Sequence, residues 1–241
     1  MSAVIAVPST HGPFFFDGAE SGFFAVEAFK PYNILIENGY SVQIVSETGE
    51  AAPDPSSLTE EHFTKDELEQ AKSPNSPFNL ALKQIKKAAD VDPKKFTIFY
   101  AVGGQPAPLD YPGATNLHHL ASEIYKNGGV VSSVCFGCTI LPYIKTPDGE
   151  SVVKGKEVTW YESKEEIESW LHYIGEQYRS KYLDNLVNTS TLARNLGATT
   201  TQPKGGDDED LTIVQGRLVS GANPKSTVSS ITAVIKVDRA S

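Results

Sequence analysis

The residues GGVVSSVCFGCT at positions 128–139 decide the fold of this chain. The short, mostly apolar run Val130–Val134 has the length of a buried strand, and Cys135 follows it directly, before a segment that begins like a helix. A strand that turns sharply into a helix presents the residue at the turn outward, an arrangement called a nucleophile elbow. The sequence therefore predicts a strand, a bend at Cys135 and a helix in immediate succession.

The predicted helix would favour a negative charge on Cys135. A helix N-terminus aims unbonded N–H groups and the positive end of its dipole at the residue before it, and this stabilises an anion there. A thiolate is such an anion, and it is the reactive form of cysteine. The alternative is an inert cysteine that ends a core strand, the commonest environment of a free cysteine. The elbow favours the nucleophile.

Composition and charge exclude several classes of protein. The chain has 241 residues and a net charge of −9, whereas nucleic acids and anionic membranes require a basic partner surface. No run of about 18 apolar residues is present, so we expect no membrane span. Residues 1–8 lack the basic region of a signal peptide, so we expect a first strand there instead. Two cysteines, three positions apart, imply no disulfide framework and fit a reducing, cytoplasmic setting.

Predicted strands and helices alternate along the whole chain. Strands are expected at residues 4–7, 41–46, 96–101 and 130–134, with two short ones around Gly216 and a small hairpin within residues 145–158. Helices are expected at residues 23–38, 65–72, 78–89, 116–126, 165–179, 184–196 and 227–237. This alternation predicts one α/β domain over residues 1–241, with a flavodoxin-like, doubly wound, mainly parallel sheet flanked by helices and a helical excursion at about residues 47–89.

The carboxyl ends of the parallel strands are expected to hold the site. Gly103 and Gly104 end the third predicted strand and allow close backbone approach, so their N–H groups, with that of Phe136, are candidate oxyanion donors. A tight turn is the alternative explanation of the glycine pair. The acidic run at residues 207–210 lacks histidine and ordered ligand spacing, so we expect a solvated loop, no metal and no cofactor.

Short motifs along nearly the whole chain resemble the ThiJ/PfpI superfamily, and within it the heat-shock protein 31-like branch of glyoxalase III enzymes and chaperones. That superfamily has the class I glutamine amidotransferase-like fold. The motifs are FDGA at residues 16–19 with Gly22, VEA at 26–28, VSETG at 45–49, DYP at 110–112, ASEIY at 121–125, VC at 134–135 and GRLVSGANP at 216–224.

The resemblance implies roles for two residues. The elbow cysteine of the family, here Cys135, is its nucleophile, and a glutamate on the first helix, here Glu27, contacts the thiol. A protonated carboxyl beside sulfur stabilises a thiolate by a hydrogen bond and can later deliver a proton. A solvated helix residue is the alternative for Glu27, although its sequence neighbours are apolar. The resemblance also implies a homodimer.

The chain departs from the family where proton transfer would occur. The histidine that follows the family's cysteine is replaced by Phe136, and a histidine after the glycine pair is replaced by Gln105. The acidic triad member maps to Glu166, but phenylalanine can neither accept nor donate a proton, so a Cys-His-Glu relay cannot operate as in the family. His11, in the loop after the first strand, is the remaining candidate base.

Cys138 is a further departure, because proline is usual at that position in the family. Cys135 and Cys138 form a C-x-x-C pattern at a predicted helix start, which is typical of a redox dithiol. Chance packing of Cys138 and reversible oxidation of Cys135, to a sulfenic acid or a disulfide, are the interpretations left open.

Three functions remain open at this point. In the first, a lyase- or hydratase-type enzyme attacks a small electrophile, a carbonyl or isocyanide-like carbon, through Cys135, with Glu27 handling protons; isocyanide hydratases of the superfamily resemble this pattern. The second is glutathione-independent glyoxalase III, which converts methylglyoxal to lactate. The third is a stress chaperone or redox sensor. The expected partners are a small molecule and a second copy of the chain, not nucleic acid or membrane.

Overall fold

The computed structural model describes residues 1–160, 171–205 and 209–240, and their central feature is a seven-stranded sheet. Its strands are β1 (Ser2–Ala6), β2 (Ser41–Ser46), β3 (Lys86–Lys87), β4 (Ile98–Ala101), β5 (Val130–Val134), β6 (Thr212–Gln215) and β7 (Leu218–Gly221). They lie in the order β6-β7-β5-β4-β1-β2-β3, and every neighbouring pair is parallel except β6 and β7. This confirms the predicted α/β, flavodoxin-like architecture.

Helices flank the sheet. The α-helices of the described residues are α1 (Ala25–Glu37), α2 (Lys65–Lys72), α3 (Pro77–Lys83), α4 (Ala107–Asp110), α5 (Thr115–Lys126), α6 (Glu176–Asn195) and α7 (Thr227–Ala240). Helix α1 packs against α7, and α5 packs against β4 and β5. None of the helices in the described part of the chain is both long and apolar enough to cross a membrane.

The central strands form the core of the molecule. Every residue of β4 and β5 is buried, as expected for parallel strands that are covered on both faces. The register pairs Ala6 with Ala101, and Ala101 with Ser133, so β1, β4 and β5 end at the same edge of the sheet. The loops that follow these three strands therefore meet, and they bring the predicted site residues into one neighbourhood.

Two predicted elements coincide with the observed ones because local signals define them. Strand β2 occupies Ser41–Ser46, and Gly39, at φ 84°, ends α1 in the left-handed conformation that glycine favours. Helix α2 occupies Lys65–Lys72 and begins with a capping box, in which Thr64 and Glu67 bond each other's backbone N–H groups. Pro31 lies inside α1.

Four predicted helices differ from the observed ones. The helix expected at residues 78–89 ends at Lys83, because the following residues form β3 and pair with the edge of β2. The segment after β5 is a 3-10 helix, Cys135–Tyr143, in which Pro142 lacks the N–H that a regular helix would use. Two separate helices were expected at residues 165–179 and 184–196, but a single helix, α6, occupies Glu176–Asn195. Tyr182 lies in the expected gap between them and is buried within α6. Residues 161–170 lie outside the described part.

The hairpin predictions are confirmed in part. Strands β6 and β7 pair antiparallel around Gly216, which has φ 64°. Within the hairpin predicted at residues 145–158, Lys145 and Ser151 form an antiparallel bridge around a turn at Gly149, but the segment does not continue as a hairpin. Instead, Glu157–Thr159 pairs in parallel with Thr199–Thr201 as a separate two-stranded sheet.

Candidate active site

Cys135 occupies a strained bend between β5 and the 3-10 helix. Its φ of 55° is the one positive value among the non-glycine residues of the described ranges. A side chain in this left-handed region costs about 1–2 kcal/mol, so surrounding contacts must hold it there. Cys135 is buried, with 7% of the residue exposed. The bend has the geometry that the sequence predicts for a nucleophile elbow.

Glu27 brings a buried carboxyl to this sulfur. The residue lies in the first turn of α1, is fully buried and hydrogen-bonds through its side chain with Cys135. The Gly103 N–H donates to its Oε2 at 2.8 Å. Burial raises the pKa of Glu27 from 4.5 to about 8, against the opposing effect of the hydrogen bonds with Gly103 and Cys135. The carboxyl is therefore mainly protonated at neutral pH, and the solvated-residue alternative is wrong.

Gly103 lies where α1, the loop after β4 and the bend after β5 meet. A Cβ atom at this position would lie 2.8 Å from Oε2 of Glu27, 2.9 Å from Cβ of Cys135 and 2.9 Å from the backbone nitrogen of Phe136. Only glycine allows this approach. However, the Gly103 N–H is already bonded to Glu27, so its assignment as an oxyanion donor needs correction: in this structure it orients the carboxyl.

The roles predicted for Gly104 and for the Phe136 amide remain predictions. Gly104 has φ 116° and lies against the backbone of Gly22 and Phe23, which explains why glycine occurs there. The Phe136 nitrogen lies beside Gly103 at the start of the 3-10 helix. This amide also follows Cys135 directly in the chain.

Phe136 places a buried apolar ring at the position where the family has a histidine. Its side chain is buried, and its ring meets that of Tyr182 edge to face, with 6.3 Å between the centroids. Tyr182 is buried in α6 and donates its hydroxyl hydrogen to Oε1 of Gln105 at 2.9 Å. Burial, reinforced by the charge of Cys135, raises the pKa of Tyr182 well above its ordinary value, so the hydroxyl stays protonated.

The remaining candidate residues lie in different surroundings. His11 is exposed, and its Nδ1 lies 2.7 Å from the carbonyl oxygen of Ser9. Cys138 is buried, and no disulfide links it to Cys135. Glu166 lies outside the described residues. Within those residues, no group of three or more acidic, histidine or cysteine side chains could hold a metal ion.

The pair of Tyr182 and Gln105 was not foreseen from the sequence. Gln105 attracts attention only because it follows the glycine pair, and nothing local in α6 marks Tyr182 as its partner. The two residues are 77 positions apart, so the hydrogen bond depends on how α6 packs against the loop after β4. The departure from the family at Gln105 was the one available signal.

Comparisons with known proteins give the chain its family. The DJ-1/PfpI family matches residues 18–236. Over 240 residues the chain is 35% identical to glyoxalase 3 of Candida albicans, covering 98% of this chain and 97% of that protein. It is 36% identical over 239 residues to a glutathione-independent glyoxalase of Schizosaccharomyces pombe, covering 98% and 95%. The crystal structure of glyoxalase III from Candida albicans aligns with a TM-score of 0.86 at 34% identity, over 98% and 97% of the two chains. This chain therefore belongs to the DJ-1/PfpI family.

Proposed function

We propose that this protein is a cysteine-dependent enzyme that acts on the carbon of a small electrophile. Cys135 is the nucleophile, and Glu27 supplies and recovers the proton. One observation carries the proposal: a fully buried carboxyl, with a pKa raised to about 8, hydrogen-bonds with a cysteine held at a positive φ. A nucleophile at a strained bend, beside a group that can give and take a proton, is an arrangement that suits covalent catalysis.

With a carbonyl compound as substrate, Glu27 first donates a proton and then accepts one. The sulfur of the Cys135 thiolate forms a bond to the carbonyl carbon, and the π electrons of the C=O bond move to the oxygen. The proton of Glu27 neutralises that oxygen, which gives a neutral hemithioacetal and leaves Glu27 as a carboxylate. The carboxylate then accepts the next proton released at the substrate, so a single group acts first as acid and then as base.

An isocyanide fits the same two residues. Thiolate addition to the terminal carbon, with a proton from Glu27 delivered to that carbon, gives a thioformimidate. Water then adds to this carbon and the thiolate leaves, which yields an N-formyl amine. The net reaction consumes one isocyanide and one water, and Cys135 and Glu27 return to their initial states.

The relatives favour methylglyoxal as the first substrate to test, because those described above are named glyoxalases. Conversion of methylglyoxal to lactate requires a proton to move from one substrate carbon to the other. Phe136 cannot carry it, so in this candidate function the Glu27 carboxylate takes that proton after the first step.

The experiment compares turnover of methylglyoxal without glutathione, and of an alkyl isocyanide, by the wild type and by Cys135→Ala. Cys138→Ala is the matched control, because it removes the other buried thiol of the same helix. We expect turnover of at least one substrate that is abolished by Cys135→Ala and retained by Cys138→Ala. Absence of any Cys135-dependent turnover contradicts the proposal.

An exposed aromatic pair favours a second candidate function, that of a stress chaperone. Phe16 and Tyr173 are 64% and 52% exposed, and their ring centroids lie 6.3 Å apart. Apolar surface of this kind binds other chains, including the second copy in the homodimer that the resemblance implies. Suppression of client aggregation that survives Cys135→Ala but fails in Phe16→Ser would support this function, and sedimentation of the wild type tests the dimer.

A further inference from the structure

The geometry points to a specificity role for Gln105. We infer that its side-chain amide, oriented by Tyr182, donates a hydrogen bond to an oxygen of the substrate that neighbours the carbon attacked by Cys135. The inference rests on the proposed function, because it concerns the substrate of that same site. It adds a preference that the pair of Cys135 and Glu27 does not impose: an electrophile with an acceptor oxygen beside the attacked carbon is favoured over one without, such as an alkyl isocyanide.

The backbone fixes where Gln105 begins. The residue follows Gly103, whose N–H bonds Glu27, and Gly104, where a Cβ would lie 2.5 Å from the carbonyl oxygen of Gly22. The Gly104 carbonyl accepts from the N–H of Ala107 and so closes the turn into α4. Gln105 therefore lies in a tight turn, two residues after Gly103, which contacts Cys135 and Glu27. Its side chain is partly exposed.

Tyr182 determines which end of the amide is left for a ligand. Its hydroxyl donates to Oε1 of Gln105, so that oxygen is already engaged. Because burial and the charge of Cys135 raise the pKa of Tyr182, the hydroxyl remains a donor over the whole physiological range. The Tyr182 ring is itself held edge to face by Phe136 and Phe14. The oriented amide then presents the two N–H donors of its Nε2.

The Nε2 group suits an acceptor oxygen. No described residue accepts a hydrogen bond from it, whereas Oε1 has its partner. An amide donor is neutral and does not titrate, so it binds a carbonyl or carboxylate oxygen without competing for the proton of Glu27. A histidine at this position would titrate near neutral pH. Gln105 thus replaces a proton carrier by a binding group, in a site that also has Phe136 in place of a histidine.

Alkylation of Cys135 by two reagents tests this role without requiring turnover. Iodoacetamide carries a carbonyl oxygen next to the carbon that sulfur attacks, whereas iodoethane has no oxygen. The ratio of the two second-order rates, read by mass spectrometry and mapped to Cys135, cancels any general change in thiol reactivity. A purely structural role of Gln105 would leave this ratio unchanged.

Gln105→Leu should lower the ratio of iodoacetamide to iodoethane rates by about 3- to 10-fold, the value of one hydrogen bond. Gln105→Glu keeps the size and the acceptor for Tyr182 but loses the donor, so it should lower the ratio similarly and remains informative if the leucine variant folds poorly. Tyr182→Phe should lower it by a smaller factor. Gln70→Leu, an exposed position in α2, is the matched control and should leave it unchanged.

The outcomes separate this inference from the proposed function. An unchanged ratio in both Gln105 variants, with Cys135 still alkylated, overturns the role of Gln105 and leaves the nucleophile intact. Failure of both reagents to alkylate Cys135 in the wild type overturns the inference and the proposed function together. A reduced ratio in both Gln105 variants, with an unchanged ratio in Gln70→Leu, supports the inference even if methylglyoxal proves not to be a substrate.

Discussion

The carboxyl of Glu27 hydrogen-bonds with the side chain of Cys135 and thereby ties the first turn of α1 to the bend after β5. The Gly103 N–H, from the loop after β4, holds the same carboxyl at 2.8 Å. Because burial raises the pKa of Glu27 to about 8, its buried carboxyl carries a proton at neutral pH. The stability and the chemistry of the protein should both depend on that proton.

Glu27→Gln should remove a pH dependence of folding. The pKa of Glu27 rises from 4.5 to about 8 on folding, so between these values the folded state holds a proton that the unfolded state has lost. This contribution to stability is complete below pH 4.5 and disappears as the pH rises through 8, with a slope of up to about 1.4 kcal/mol per pH unit.

This slope is measured by urea unfolding of the wild type and of Glu27→Gln at pH values from about 5 to about 8, in steps of about one unit. As the pH rises, the free energy of unfolding of the wild type should fall relative to that of the variant, because glutamine is neutral throughout. Parallel pH dependence of the two proteins would show that Glu27 is ionised in the folded state.

Gly103→Ala should damage the site from the backbone side. The new methyl group would lie under 3 Å from atoms of Glu27, Cys135 and Phe136, so at least one of them must move. We expect a loss of about 1–3 kcal/mol in the free energy of unfolding and a larger loss of turnover. Gly113→Ala, where a Cβ meets nothing within 4 Å, is the control and should change neither quantity appreciably. Normal turnover in Gly103→Ala would contradict the observed geometry.

Phe136→His should raise turnover of methylglyoxal. The substitution places a base beside Cys135, and a positioned base contributes about 10²- to 10⁴-fold to a proton transfer. Burying an imidazole where Phe136 packs against Tyr182 should also cost stability, by about 1–3 kcal/mol. Phe136→Leu loses the same ring contact without gaining a base and should show no increase. Equal methylglyoxal rates in the wild type and both variants would refute the explanation that the missing histidine limits this reaction.

Cys138→Ala tests whether the second thiol has a redox role. Cys138 is buried in the 3-10 helix and no disulfide joins it to Cys135, so packing is the role we predict. The variant should keep its turnover and lose about 1 kcal/mol of stability, the order expected for removing one buried group. Mass spectrometry after mild peroxide treatment should show oxidation of Cys135 alone. A disulfide between the two cysteines would restore the dithiol interpretation.

Local patterns made much of the fold predictable. The elbow followed from an apolar strand that runs directly into Cys135, and helix α2 followed from its capping residues. The role of Glu27 could be assigned only through the resemblance, because its apolar sequence neighbours indicate burial but not contact with Cys135.

Interactions between distant segments explain the rest. The Gly103 N–H was expected to serve an oxyanion, and only the packing of α1 against the loop after β4 shows that it bonds Glu27. The end of α3 at Lys83 results from strand pairing of β3 with β2, which outweighs the local helical preference. The bond from Tyr182 to Gln105 likewise requires α6 to be in place.

The turnover of a small electrophile by Glu27→Gln, compared with the wild type, tests most directly whether this carboxyl carries the proton for Cys135. Iodoacetamide should still alkylate Cys135 in the variant, which separates loss of the thiol from loss of proton transfer. Turnover should fall by about 10²-fold or more, and the wild-type rate alone should decline as the pH rises through about 8, where Glu27 loses its proton. A Glu27→Gln protein that turns over substrate at the wild-type rate would contradict the account.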